Sequence, residues 1–324
     1  MTFDDHLTRL VTQLWNYRLE NFAGRDHLFD DHREPSPPVF APDHADWNIL
    51  LRPGADDEET KSVLGALPAS KRHPWFRSMK STQALAQSVF GNLRANNKLG
   101  LLSSLLGDDG QPLFFRPSGC EPHTEMEHEV GYLKEKGQGG TNVGVLLNQG
   151  SYRIAVECKL AEADFGRCSK PLRKPEDTDY EHDYCNADYA PQQNRRFRCS
   201  LAGLGVAYWE YIPELFDGWS AGTDHCPCPL NRAYQLTRDL LAACVRPGLS
   251  VDPAGGHVVL IYDDRNPSFR QCGEAGKIYD TVKTSLRNPA LLQKTTWQQV
   301  VACLRPDPEM AWLAEALAGK YGIA

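Results

Sequence analysis

Residues 141–160 read TNVGVLLNQGSYRIAVECKL, two short aliphatic and β-branched runs on either side of Asn148-Gln149-Gly150-Ser151, four residues rich in turn formers. This spacing predicts a β-hairpin. With Leu147 opposite Tyr152, Val143 faces Val156 and Val145 faces Ile154, giving one apolar face that Cys158 and Leu160 continue. The other face carries Asn142 across from Glu157, Gly144 across from Ala155, and Lys159 beyond. A carboxylate and an ammonium then project together from a strand whose other side is core. Either a solvent-facing half-sheet or a catalytic edge would be built this way.

Working outward, HTEMEHEV (123–130) puts Glu125, Glu127 and Glu129 on one face if the segment is extended. If it is helical, Glu125 and Glu129 still share a face. Residues 2–23 have Leu7, Leu10, Val11, Leu14 and Trp15 at helical spacing, and helices are expected near 59–66 and 80–106, the second capped by Ser81-Thr82. A Pro- and Asp-rich connection occupies 31–58. Residues 1–105 thus read as a helical N-terminal segment, and 106–324 as a β-containing domain with a cysteine-rich insertion at about 165–230. Near the end, VVLIY reads as a buried strand with His257 at its start, and TWQQVVACL and EMAWLAEALAGKYG read as packing helices.

The 324 residues are 41% hydrophobic and 24% charged, enough for one large core or two modest ones. No apolar run approaches the ~20 residues that span a bilayer, and the acidic, amphipathic start does not resemble an export signal. The expected location is cytoplasmic. A net charge of −7 argues against coating nucleic acid through the overall field, so local patches must do any such work. Lys71-Arg72-His73 with Arg77 and Lys80 reads first as a solvated face. A second basic run, Arg167, Lys170, Arg173, Lys174, Arg195, Arg196 and Arg198, follows the hairpin directly and is the stronger candidate for nucleic-acid binding.

Ten cysteines in a chain read as cytoplasmic point away from a disulfide framework. Cys168, Cys185, Cys199, Cys226 and Cys228 gather in a stretch crowded with Tyr and Asp (DTDYEHDYCNADYAP), too polar to be held by a core. Two readings stand: isolated buried thiols, or a structural metal site formed by Cys168, Cys185, Cys199 and either Cys226 or Cys228. Zinc is the default ion, and an iron–sulfur cluster is the alternative. Cys158 lies on the core face by strand alternation, which argues against its being a nucleophile.

"TNVGVLL", "AVECKL" and "DFGRCS", followed by "CPLNRAYQLTRDLLAA", resemble bacterial restriction-endonuclease-like proteins of the PD-(D/E)xK superfamily, in particular the PGN_0703-type group. The resemblance implies a mixed β-sheet core flanked by helices, an α/β fold, and hydrolysis of DNA phosphodiesters with Mg²⁺ or Mn²⁺. Glu157 and Lys159 match the (D/E)xK half of the motif. The family's first-strand acid would fall at position 144, where this chain has Gly144. That glycine reads as an engineered change, a natural loss of activity, or replacement by an upstream acid, for which Glu127 is the candidate. DNA is the implied partner, and a homodimer is the expectation of the class. The competing readings are a catalytically dead nucleic-acid-binding module and a metal-stabilised protein-interaction domain.

Overall fold

The computed structural model describes residues 1–30, 34–107, 110–114, 122–135, 142–178, 180, 184–191, 196–246, 248 and 250–324. At its centre the hairpin forms as β2 (Asn142–Gln149) and β3 (Tyr152–Lys159). Three further strands complete a five-stranded sheet: β1 (His123–Glu129), β4 (Gly256–Tyr262) and β5 (Leu292–Thr296). They lie side by side in chain order. β1, β2 and β3 run antiparallel, whereas β3, β4 and β5 run parallel, so β3 is the strand at which the sheet changes sense.

The hairpin turn is tighter than the sequence reading had it. Gln149 pairs with Tyr152 and Val145 with Val156, which leaves Gly150-Ser151 as a two-residue turn and shifts the register by two positions. Gly150 has φ 61°, as a glycine at the first position of such a turn requires. An even shift preserves which side each residue faces, so Val145, Leu147, Ile154, Val156 and Leu160 do share one core. Val143 departs and packs with Val130 and Leu133 in the other core. The β1–β2 ladder skips the level between Met126↔Val145 and His128↔Val143, and there Glu127 adopts φ 48°. The register is the same on both sides of that level, so no residue is inserted and the interruption is local.

Helices cover both faces. On one lie α1 (Phe3–Asn21), α2 (Asp57–Gly65), α3 (Thr82–Ala86) and α4 (Asn92–Ala95), which share a core with the C-terminal pair. The intervening α5 (Ser200–Gly203), α6 (Tyr208–Leu215), α7 (Leu230–Cys244) and α8 (Glu274–Ser285) cover the other face. The chain closes on the first face with α9 (Trp297–Leu304) and α10 (Ala311–Tyr321). Helix starts follow the expected chemistry: Thr2 and Thr296 form capping boxes, and the Ser81 side chain accepts from the Ala84 amide. His257 is a satisfied strand-start histidine, Nε2 on the Leu113 carbonyl (2.7 Å) and Nδ1 on the Tyr152 hydroxyl (2.9 Å). Among the described residues no helix is long and apolar enough to cross a membrane.

The exit of β3 is pinned from several sides. The Trp297 indole donates to the Lys159 carbonyl (3.1 Å), as does the Asp263 amide (3.2 Å). His6 Nε2 lies 3.1 Å from the Leu160 carbonyl. Both ends of the chain therefore hold the strand that carries the charged pair. Because Gly150 sits in the left-handed region, Gly150→Ala should cost about 1–2 kcal/mol. Urea denaturation should show a lower midpoint with an unchanged slope.

Candidate active site

Glu157 and Lys159 leave β3 on the side covered by α7, as strand alternation predicts, but they do not face open solvent. Their side chains are 6% and 7% exposed, and Lys159 Nζ lies 2.8 Å from Glu157 Oε1. The same ammonium donates to Gln235 Oε1 on α7 at 2.9 Å. Burial works against the ammonium, but Glu157, Glu162 and Asp239 together outweigh it and raise its pKa.

The pair opens onto a cavity of about 1040 Å³ whose lining includes Glu127, Gly144, Glu157 and Lys159. Continuing the observed registers by one position brings Gly144 level with Glu157 on one side and with Glu127 on the other. A Cβ built on Gly144 would touch only the Val156 carbonyl, at an ordinary 3.8 Å. The glycine thus stands between the two glutamates with room for a side chain. Glu127 is fixed by Gln83 Nε2, which donates to its Oε1 (2.7 Å), and by Lys71 Nζ, which donates to its backbone carbonyl (2.9 Å). Burial, assisted by the Glu157 charge, raises its carboxyl above the ordinary range. Glu129 also lines the cavity, but Glu125 instead meets the His128 ring (2.6 Å). Glu127 and Glu129 therefore share the cavity, and Glu125 does not join them.

Other wall residues were not singled out by sequence. Glu162 accepts from Thr82 Oγ1 (2.6 Å) and from the Leu160 and Ala161 amides. Gln235 and Arg238 reach the cavity from α7, and Asp239 stands buried beside Glu157. Their i, i+3, i+4 spacing in QLTRD was the available signal. Of the first basic patch, Lys71, Arg72, His73 and Lys80 line this cavity while remaining exposed or half-buried. Arg77 does not, and pairs with Asp30 (2.7 Å). Cys158 borders the cavity, but burial raises its thiol well above the ordinary range, which suits a packing role.

The second basic run lies outside the cavity lining. Arg167 pairs with Asp164 (3.4 Å), Arg198 pairs with Asp224, and Arg196 stacks over Phe197. Arg173 and Lys174 are surface residues with partial or full exposure, and Arg195 lies outside the described residues. Lys170 departs from its expected role: it is 7% exposed and lines a second, smaller cavity with Cys168, Cys185, Cys199 and Cys228. Cys226 is exposed and does not join them. Cys120, which the sequence sets close to His123 and His128, lies outside the described residues.

Asp239 is 1% exposed, its carboxyl stands within hydrogen-bonding reach of the Glu157 carboxylate, and Arg238 Nε is 3.6 Å away. Burial first, then the Glu157 charge, pushes its carboxyl well above the carboxylate range. A raised carboxyl stabilises the fold below its unfolded pKa of about 4, and that contribution is lost as pH rises through the folded value. Asp239→Asn should therefore melt higher than the parent near neutral pH. Thermal scans across pH should show the gap closing toward acid, with about 2–4 °C per kcal/mol recovered.

A family model described as "Restriction Endonuclease associating with ARP" matches residues 32–322. No curated protein and no solved structure matches the chain. The five-stranded mixed sheet with helices on both faces is an α/β fold of restriction-endonuclease-like type, as the motif's resemblance implied. The chain belongs to the restriction-endonuclease family whose members are described as associating with ARP.

Proposed function

We propose that this protein is a divalent-metal-dependent nuclease that hydrolyses DNA phosphodiesters in the cavity beside β2 and β3, with Glu127 in the role an acid at position 144 would fill. The observation that carries this reading is that Glu127 and Glu157 line one cavity at the level of Gly144. Two carboxylates suit Mg²⁺, which is commonly held by one or two of them and completes its shell with water and substrate phosphate oxygens. Glu127 and Glu157 are the residues that would hold it; when bound, the ion polarises the phosphate and lowers the pKa of water.

The chain's own groups do the rest. Lys159, oriented by Glu157 and Gln235, presents a fixed positive charge where negative charge develops on the phosphate. Lys71, Arg72, Lys80 and Arg238 distribute cations over the walls. Such groups position a phosphate backbone without reading its sequence, and binding of this kind weakens steeply with salt. Trp75, 63% exposed at the same cavity, offers a ring on which a base can stack. Cutting both strands would be served by two copies of the chain.

With supercoiled plasmid in Mg²⁺ or Mn²⁺, the parent protein should nick or linearise DNA. Glu157→Ala and Glu127→Gln should abolish cutting, and Lys159→Met should slow it by about 10²–10³-fold. Gel retention in the absence of metal should fall as salt rises. A silent parent alongside an active Gly144→Asp variant would instead identify a natural DNA-binding module that has lost its metal ligand. This second reading is favoured by the glycine itself and by the room around it. Silence from every variant, with no DNA retained at low salt, would leave the protein-interaction reading.

A further inference from the structure

The crossover from β3 to β4 carries a second feature that the nuclease reading does not use. Between Leu160 and α7 the described backbone has little regular structure: one short helical turn at Lys170–Leu172, then α5 and α6. Four thiols from separate parts of this stretch line one small cavity: Cys168, Cys185, Cys199 and Cys228. They are 7%, 6%, 7% and 7% exposed, and none is in a disulfide. Cys168 and Cys228 each feel the charges of both Cys185 and Cys199.

The backbone around these sulfurs is arranged in a repeated way. The Ala187 amide donates to Cys185 Sγ (3.4 Å), the Lys170 amide is directed at Cys168, and the Leu230 amide is directed at Cys228. Three of the four thiols thus receive an amide from the residue two positions later. Hydrogen bonds of this kind favour the thiolate, the form that ligates metal, against the burial that pushes the Cys168 and Cys228 thiols up to about 11 and about 12. Tyr189, fully buried, places its hydroxyl 3.3 Å from Cys228 Sγ. Lys170 brings a buried ammonium to the same cavity.

We propose that Cys168, Cys185, Cys199 and Cys228 form a structural tetrathiolate site for a single zinc ion that holds the crossover together. Four thiolates on one cavity are the ligand type and number that zinc takes in closed structural sites. The open space is about 10 Å³, room for one ion or water rather than for a four-iron cluster. Binding proceeds as Zn²⁺ plus four thiols giving a Zn(S-Cys)₄ centre of net charge −2 and four protons released to solvent. The buried Lys170 charge offsets part of that negative charge. Among the described residues no group of three or more His, Cys, Asp or Glu side chains stands so as to hold a metal ion. Zinc binding would therefore require the four sulfurs to move inward, and Cys226, exposed and outside the cavity, takes no part.

The full-length protein, purified without chelator, should contain one equivalent of zinc by elemental analysis. A mercurial thiol reagent should release it to a colorimetric indicator. Cobalt exchanged into the protein should give the intense d–d and thiolate charge-transfer bands of tetrahedral sulfur coordination. Cys185→Ser and Cys228→Ser should each lose metal, and Cys226→Ser should retain it. The cobalt spectrum of the parent protein tests the site even if the serine variants fail to fold. Metal-free protein without thiolate bands in cobalt would overturn the proposal, as would retention of zinc by Cys228→Ser with loss by Cys226→Ser. Iron and acid-labile sulfide in place of zinc would overturn the single-ion assignment. None of these readouts depends on DNA cleavage, so the zinc site and the nuclease reading stand or fall separately.

Discussion

A glutamate and a lysine buried side by side on β3 constrain everything around them. Removing two charges from water costs several kcal/mol per ion, and their mutual attraction offsets this only when the geometry is good and the remaining donors are satisfied. Here the Lys159 ammonium is shared between Glu157 and Gln235, so α7 must lie against β3 at one particular height. The strand's exit is held by Trp297 from the C-terminal helices and by His6 from the first helix. Elements remote in the chain thus converge on two residues that a purely apolar sheet would not need.

The second constraint is the level of Gly144 in the sheet beside them. The β1–β2 pairing is interrupted there although its register continues on both sides, and Glu127, at φ 48°, lines the cavity while Glu125 meets His128. A side chain at position 144 would have room. The N-terminal segment supplies the opposite wall through Lys71, Arg72, Lys80 and Gln83. It shares a core with α9 and α10, so it packs as part of the sheet's cover.

The sheet and the cysteine-rich crossover depend on different physics. Aliphatic side chains on both faces hold the strands between two continuous cores. The crossover adds mainly aromatic side chains to the second core, among them Phe165, Tyr208, Trp209 and Phe216, while its irregular backbone is tied by contacts such as Cys168 N to the Asn231 carbonyl (3.1 Å) and Tyr189 N to the His225 carbonyl (2.9 Å). A metal cross-link there would further restrict the irregular segments between those buried side chains.

Much of the sheet was legible from local pattern. Alternation in TNVGVLL and YRIAVECKL assigned Glu157 and Lys159 to one side and Val156 to the other, and an even slip in register left that assignment intact. The Ser81 cap marked the start of α3. These are properties of neighbouring residues, and backbone geometry alone enforces them. Tertiary structure decided which acid joins Glu157, which basic patch reaches the cavity, and that Cys228 rather than Cys226 meets the other thiols. Each of those depends on segments separated by tens of residues being folded against one another, and no periodicity encodes where a crossover lands. Gln235, Arg238 and Asp239 make the point: their spacing gave them a common region of α7, but only the packing of that helix on β3 brought them to Glu157 and Lys159.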